Sequence, residues 1–561
     1  MAQNTWDAIV VGSGISGGWA AKELTERGLD VLVLEAGRPI DPARDYIEHQ
    51  PVYEFKFRGL GNRQRDRDRQ FIQSVAGPFE EETSHFFVDD VDNPYTFDED
   101  KPFYWIRGRH LGGRSLMWGR QTYRLSDLDF EANLREGVGV DWPIRYDDIA
   151  PWYDHVEDFI GVSGERLGLP QLPDGKFLPP MQLNCAEEVV KAGIARHFGD
   201  ERLLTIGRCA ILTQEHRGRA ACHYCGPCWR GCITHSYFNS LGTTLPAAEA
   251  TGRLTLRTNS VVAAVLYDEQ RDRATGVRVI DSITRHEREY SARLIFLCAS
   301  ALESTRILFN SATSRFPDGL ANSSGELGNN LMDHTMGGGA TGTIPGLEDR
   351  IVQGNRPNGI YVPRFRNVKT RHADFTRGYG FQGGAGRGGW GRGASTRGVG
   401  AAFKHALRDP GPWSFTFYGF GECLPYATNR VRLNPERKDA WGVPVLHVSA
   451  EWGDNERKQL ADMAVTAAEM LEASGARDIS AFVQDNAPGL GIHEMGTARM
   501  GRDPRTSVLN GYCQTHDVPN LFVTDGACMT SAGCQNPSIT YMALTARAAA
   551  YAVDKLNRRE L

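Results

Sequence analysis

Long apolar runs are missing from this chain of 561 residues. None approaches the roughly 18 apolar residues of a membrane helix, so no helical span is expected. An excess of positive charge is missing too. Sixty-three Lys and Arg stand against 69 Asp and Glu, a formal net charge of −6, which argues against nucleic acid or an anionic membrane surface as the main partner. The first residues, MAQNTWDAIVVGSG, contain no basic n-region, apolar h-region or twin arginine, and are expected to run straight into the fold. Cysteine is sparse and odd in number, 11 in all, so a disulfide framework is not expected. No internal repeat is visible.

What remains is an ordinary globular composition, 41% hydrophobic and 24% charged. The length exceeds what one core usually serves and predicts two domains. The start reads as strand (Ala8 to Val11), glycine turn (GSGISGG), helix (Trp19 to Arg27) and strand (VLVLEAG). Residues 42–100 read as largely irregular surface covering. TLRTNSVVAAVLYD and ATGVRVID read as a meander, and LIFLCASALESTRILFNS as strand, turn and helix. Residues 345–485 alternate in short strands. The last 65 or so return to the opening style.

Gly12, Gly14 and Gly17 form G-x-G-x-x-G between a predicted strand and helix, the setting in which that motif binds a dinucleotide. The pyrophosphate sits on the helix N-terminus, where free N–H groups favour an anion. Glu35, at the end of the second strand, is placed to bind a ribose 2′-hydroxyl and disfavours a 2′-phosphate.

Cys222, Cys225, Cys228 and Cys232 follow C-x2-C-x2-C-x3-C within CHYCGPCWRGC, the spacing of the bacterial ferredoxin run that wraps an iron–sulfur cluster. Ile233 follows where ferredoxins carry proline, and no second cysteine set exists. One cluster, 3Fe–4S or 4Fe–4S, is the simplest outcome. Structural zinc sites take their ligands as separated pairs, and His223 and His235 keep zinc open. Cys298, Cys528 and Cys534 are expected as small buried hydrophobes. The stretch GYGFQGGAGRGGWGRG (378–393) resembles RNA-binding segments in composition. Its place inside an acidic protein predicts instead a mobile loop over the active site, with Tyr379, Phe381 or Trp390 available to stack on a sugar; a plain Gly-rich surface turn is the alternative.

GSGISGG…VLVLEAG, GRHLGGRSLMWG, ASALESTRILFNS, GNNLMDH, HEMGTARMG and TDGA…NPSITYMA occur in that order. Together they resemble the glucose–methanol–choline (GMC) flavin oxidoreductases over essentially the whole chain. The resemblance implies an α/β fold, an FAD-binding Rossmann-like domain plus a substrate domain on a large antiparallel sheet. Residues 1–41, 101–170, 205–344 and 490–561 would bind FAD, with the cysteine loop 222–232 among them. Residues 42–100, 171–204 and 345–489 would form cover segments and the substrate domain. It further implies Gly112, Gly113 and Ser115 along the flavin, Val262 at the adenine end, and Asp525 and Gly526 near the ribityl-pyrophosphate. Trp118 resembles the pyranose-oxidising branch. Met117 stands where pyranose oxidases carry the histidine that binds flavin covalently; a thioether cannot, so the FAD would be non-covalent.

His493 would be the base, its unperturbed imidazole suited to taking a hydroxyl proton near neutrality. Asn536 would orient the reacting oxygen, and with Pro537 it also reads as a helix N-cap. His334 reads as a structural hydrogen-bonding residue. The cysteine segment is most similar to the catalytic subunits of bacterial FAD-dependent glucoside 3-dehydrogenases. That resemblance implies oxidation of a pyranoside hydroxyl to a 3-keto sugar, electrons leaving through the cluster to a cytochrome or quinone, and a small companion subunit carrying an export signal. Location would be periplasmic by co-export, or else cytoplasmic. Two rivals stay open: an oxygen-using oxidase with a structural zinc knuckle, and a non-redox lyase like the plant hydroxynitrile lyases.

Overall fold

The computed structural model describes residues 5–59 and 61–561, without the side chains of Val52, Arg58, Trp390 and Ala394. Two apolar runs near the N-terminus become the parallel strands Thr5–Val11 and Val31–Leu34, joined by the helix Ile15–Glu26. Leu254–Arg257 and Glu287–Leu297 flank them in parallel. The expected meander follows as the antiparallel strands Ser260–Asp268, Arg273–Asp281 and Glu287–Leu297. Leu521–Val523 completes seven strands from pieces at the start, middle and end of the chain. The alanine-rich helix Ser538–Asn557 packs on Ile15–Glu26 and buries most of its length; small side chains let the two backbones approach.

The glycine fingerprint works by close approach. Gly12 has φ +98, and a Cβ there would meet the Cys298 carbonyl oxygen at 2.5 Å; a Cβ on Gly17 would meet the Gly12 oxygen at 1.9 Å. Only glycine permits that turn. A Cβ on Gly14 would meet nothing nearer than 4.0 Å, because that side opens on a cavity.

The second sheet is antiparallel and six-stranded, in the order Arg477–Val483, His334–Ile344, Trp413–Glu422, Tyr379–Arg387, Ile360–Val362 and Thr205–Ile206. Its inner face packs Phe381, Phe415 and Phe417 with Met463 and Met470 under the helices Asp454–Ala473 and Cys185–Phe198. Residues 205–206 and 334–344, expected with the dinucleotide part, are strands of this sheet.

Two expectations need correcting. Residues 379–387 are not a mobile loop but an inner strand, with Tyr379 and Phe381 fully buried; neither can stack on a sugar. The Trp390 side chain lies outside the described residues. Alternation explains the strand: Tyr379 and Phe381 face the core while Gln382 faces the other way. The glycines pack rather than loosen, since a Cβ on Gly383 would meet the Thr416 oxygen at 2.0 Å. The irregular segment 42–100 also does more than cover the surface. Phe86, Phe87 and Val88 are buried, and Thr96–Phe97 pairs with Pro444–Ser449.

Candidate active site

A cavity of about 670 Å³ runs from the glycine turn to the inner strands of the six-stranded sheet. Gly12, Ser13, Gly14, Glu35 and Val262 line one end; His493, Asn536, Gln382, Met336 and Phe420 line the other. Gly113, Ser115, Met117, Trp118, Asp525 and Gly526 line it between.

Gly17 and Gly112 shape the cavity without lining it. Gly112, at φ +87, donates its N–H to the Ser13 hydroxyl at 2.9 Å, tying the two glycine-rich segments together. Ser115 bonds the Gly112 carbonyl at 2.5 Å and accepts from the Ser240 N–H at 3.1 Å. The Glu35 carboxylate accepts from the Ser13 N–H at 3.1 Å, the Ser13 hydroxyl at 2.5 Å and the Gly37 N–H at 2.9 Å. Burial nevertheless raises its pKa above the usual carboxylate value. Burial likewise pushes Asp525 up to about 6, against hydrogen bonds from Ser304 and the Ala527 N–H.

At the reactive end, the Asp333 carboxylate accepts four backbone N–H groups: His334 at 2.8 Å, Gly489 and Gly491 at 2.9 Å, and His493 at 3.1 Å. Between them Ile492 sits at φ 57, a conformation that costs a β-branched residue and persists only where its surroundings impose it. Together these fix the His493 backbone. Its ring meets a second histidine, Nδ1 to the Nδ1 of His334 at 2.8 Å. Burial holds the His493 pKa well below the ordinary histidine value, with His334 and the Arg114 guanidinium adding to it. Arg114 itself is paired with Glu494 at 2.7 Å. Asn536 does not cap a helix: the final helix begins at Ser538 with Pro537 at the cap position. Its amide oxygen instead accepts from the Gln382 amide at 2.6 Å.

The cysteine loop adjoins this cavity. Tyr224 (φ 59), Gly226 (φ +105), Gly231 (φ +108) and His235 (φ 52) turn it back on itself. The Ile47 N–H to the Arg230 carbonyl (2.9 Å), the Ile233 N–H to Glu48 (2.6 Å) and the Asn355 N–H to the Tyr224 carbonyl (2.8 Å) anchor it. Cys222, Cys225, Cys228 and Cys232 are half-buried and unpaired. Burial, then the neighbouring thiols, pushes Cys222 up to about 11. Trp229, next to Cys228, lines the cavity with the Arg120 guanidinium 4.7 Å over its ring. Among the described residues, however, no three His, Cys, Asp or Glu side chains form a group that could hold a metal. The expected cluster therefore finds no support in side-chain placement.

One family profile, described as GMC oxidoreductase, matches residues 6–336, and a second of the same description matches 425–545. The chain belongs to the GMC oxidoreductase family. It is 30% identical to 2-methyl-1,2-propanediol dehydrogenase of Mycolicibacterium austroafricanum, over 97% of this chain and 94% of that protein. It is 27% identical to the fructose dehydrogenase large subunit of Gluconobacter japonicus, over 97% of each. Among solved structures, pyridoxine 4-oxidase from Mesorbium loti superposes with a TM-score of 0.61 at 17% identity, over 97% of this chain and 98% of that one. Formate oxidase of Aspergillus oryzae does so with a TM-score of 0.60 at 14% identity, over the whole of both. At those identities the structures establish the fold.

This GMC oxidoreductase acts on CH–OH donors, and the residues present fit FAD as its cofactor. The glycine turn opens on the cavity where a pyrophosphate would lie, Glu35 stands at the nucleotide end, and the cavity reaches His493 without a break. Sequence reasoning passed over several residues. Arg107, Arg109, Arg114 and Arg120 line the cavity, and the four arginines of RGRHLGGRSLMWGR were the available signal. Gln382 was hidden in the Gly/Arg stretch, where the alternation Tyr379–Phe381 could have placed it on the opposite face. His334, read from the sequence as a structural hydrogen-bonding residue, touches the candidate base, a contact only the fold makes.

Proposed function

We propose that this GMC oxidoreductase is a dehydrogenase that oxidises a secondary hydroxyl of a pyranose or glycoside, at C3, to a 3-keto glycoside. One observation carries the reading: His493 and Asn536 line the far end of the cavity that starts at the dinucleotide turn. His493 takes the hydroxyl proton. Asn536, its amide oxygen occupied by Gln382, is left with N–H groups to donate to the reacting oxygen. FAD, when bound without a covalent link beside Met117, supplies the acceptor for the hydride from carbon. Trp118 and Trp229 offer apolar walls for a sugar ring.

Cys222, Cys225, Cys228 and Cys232 are proposed to hold one iron–sulfur cluster, a one-electron carrier between a two-electron flavin and an external cytochrome or quinone. Trp229 in the cavity wall, adjoining Cys228, supports that use. The fructose dehydrogenase large subunit and the gluconate 2-dehydrogenase flavoprotein of Pantoea cypripedii, 26% identical over 96% of this chain, support a sugar substrate, and the former's name supports a companion subunit. Co-export with such a subunit to the periplasm belongs to the same proposal; residence in the cytoplasm is the alternative. Paromamine 6'-oxidase of Streptomyces fradiae, 28% identical over 99% of this chain, favours a second reading, an oxygen-using oxidase; the cysteines would then form a structural zinc knuckle.

The test is anaerobic flavin bleaching across a panel of glycosides, with the product identified by NMR. A 3-keto glycoside and no hydrogen peroxide in air is the expected result. Peroxide release stoichiometric with substrate would transfer the proposal to the oxidase.

The pH dependence has a definite sign. Burial and the Arg114 charge disfavour the imidazolium, so His493 stays an unprotonated base to lower pH than an exposed histidine. The neighbouring Asp333, pushed up to about 6, and Glu494 are the anions nearby. Bleaching rates should therefore keep their plateau below the value of about 6.5 at which a free imidazole protonates. An acid limb centred at or above that value would refute the assignment.

A further inference from the structure

We infer that His334, which does not line the cavity, is the positioning residue that makes His493 a base by fixing its tautomer. The inference rests on His493 being the base in the proposed reaction.

A chain of three groups decides it. The Gly533 carbonyl can only accept, so the His334 Nε2 that lies 2.9 Å from it carries a hydrogen and donates. A neutral imidazole has one ring hydrogen. His334 Nδ1 is therefore a bare lone pair, and the His493 Nδ1 at 2.8 Å must donate to it. The single ring hydrogen of His493 is thus on Nδ1, which leaves Nε2 free to take a proton. Burial supports the neutral state of His334 by pushing it down to about 4. The geometry is rigid: the rings meet edge to face at 87°, and both backbones hang from the Asp333 carboxylate.

The same chain limits where the proton goes. When the hydroxyl proton moves to His493 Nε2, the imidazolium keeps Nδ1–H bonded to His334. Transfer onward would put a second hydrogen on His334, whose far side faces a carbonyl that cannot accept a proton. The proton stays on His493 and returns through Nε2 to the cavity. Gly533 also lies three residues before Asn536, so the strand of chain that orders His334 continues to the other half of the site.

The experiment compares H334N with H334Q. Asparagine places its carbonyl oxygen where Nδ1 stood and keeps the acceptor for His493. Glutamine keeps a donor towards Gly533 and loses that acceptor. Both are polar, and the FAD content of each reports folding. With 15N-histidine labelling, wild type and H334N should show His493 with hydrogen on Nδ1 alone, and H334Q a mixture of tautomers. Flavin reduction should fall about 100-fold in H334Q and stay within about 10-fold of wild type in H334N, with KM little changed. Equal rates and one unchanged tautomer in both variants would overturn the inference. H493Q separates the two readings. If it reduces flavin at the wild-type rate, the base assignment fails; if it is slow while H334Q matches H334N, only the role of His334 fails.

Discussion

Replacing His493 with glutamine should slow substrate-driven flavin reduction by about 1000-fold while the protein keeps its FAD. The size follows from general-base catalysis: the hydroxyl proton must leave as the carbon-bound hydrogen departs, and glutamine has no lone pair basic enough to receive it. Retention of FAD follows from the construction of the site. The loop carrying residue 493 keeps its three backbone N–H bonds to Asp333 when the imidazole and its one bond to His334 are lost, and the glycine turn lies at the other end of the cavity. Stopped-flow absorbance of the oxidised flavin measures the rate, and the flavin-to-protein absorbance ratio measures retention. A rate within a few-fold of wild type would mean that another group accepts the proton. Asn536 is an amide, and His334, the nearest other imidazole, does not line the cavity.

Removal of the cysteine quartet should separate the two halves of the catalytic cycle. C228S, purified anaerobically, should lose bound iron and acid-labile sulfide, which wild type is expected to hold at about three or four per chain. Reduction of FAD by substrate should remain near the wild-type rate, because His493, Asn536 and Gln382 lie on other segments. Transfer to an external acceptor should cease. The loop should not collapse, since the Glu48, Asn355 and Ile47 contacts that anchor it do not involve the thiols. Metal analysis decides the matter: zinc without iron in wild type would make the loop a structural clip and favour the oxidase. Neither metal, with acceptor transfer intact in C228S, would remove the loop from electron transfer altogether.

The dinucleotide end was legible because its information is local. Gly12, Gly14, Gly17 and Glu35 fall within one strand–turn–helix–strand, so spacing alone states what the backbone must do. The cysteine spacing was equally plain as a pattern, yet coordination is a matter of ångströms between thiols, and the folded loop does not display it. Asn536 illustrates a local rule overruled. Asn-Pro before a helix reads as a cap, but the helix begins two residues later and the amide turns to Gln382, a partner 154 positions away. The Gly/Arg stretch shows the opposite error. Composition suggested mobility, whereas period-two burial of Tyr379 and Phe381 made it an inner strand.

By itself the sequence determined the dinucleotide turn, the order of the family's motifs and two residues of the reactive end, His493 and Asn536. These depend on chain neighbours, on which glycine can close a turn and which side chain can take a proton. Only the tertiary structure decided that His334 touches His493, that Gln382 holds Asn536 and that Trp229 brings the cysteine loop to the cavity. The two histidines stand 159 positions apart and Gln382 and Asn536 154, and two sheets that meet at one cavity bring them together. Hydrogen-bond polarity belongs to such contacts: a neutral histidine can carry its hydrogen on either of two distinct ring nitrogens, and it is the fold that supplies the acceptor on one side.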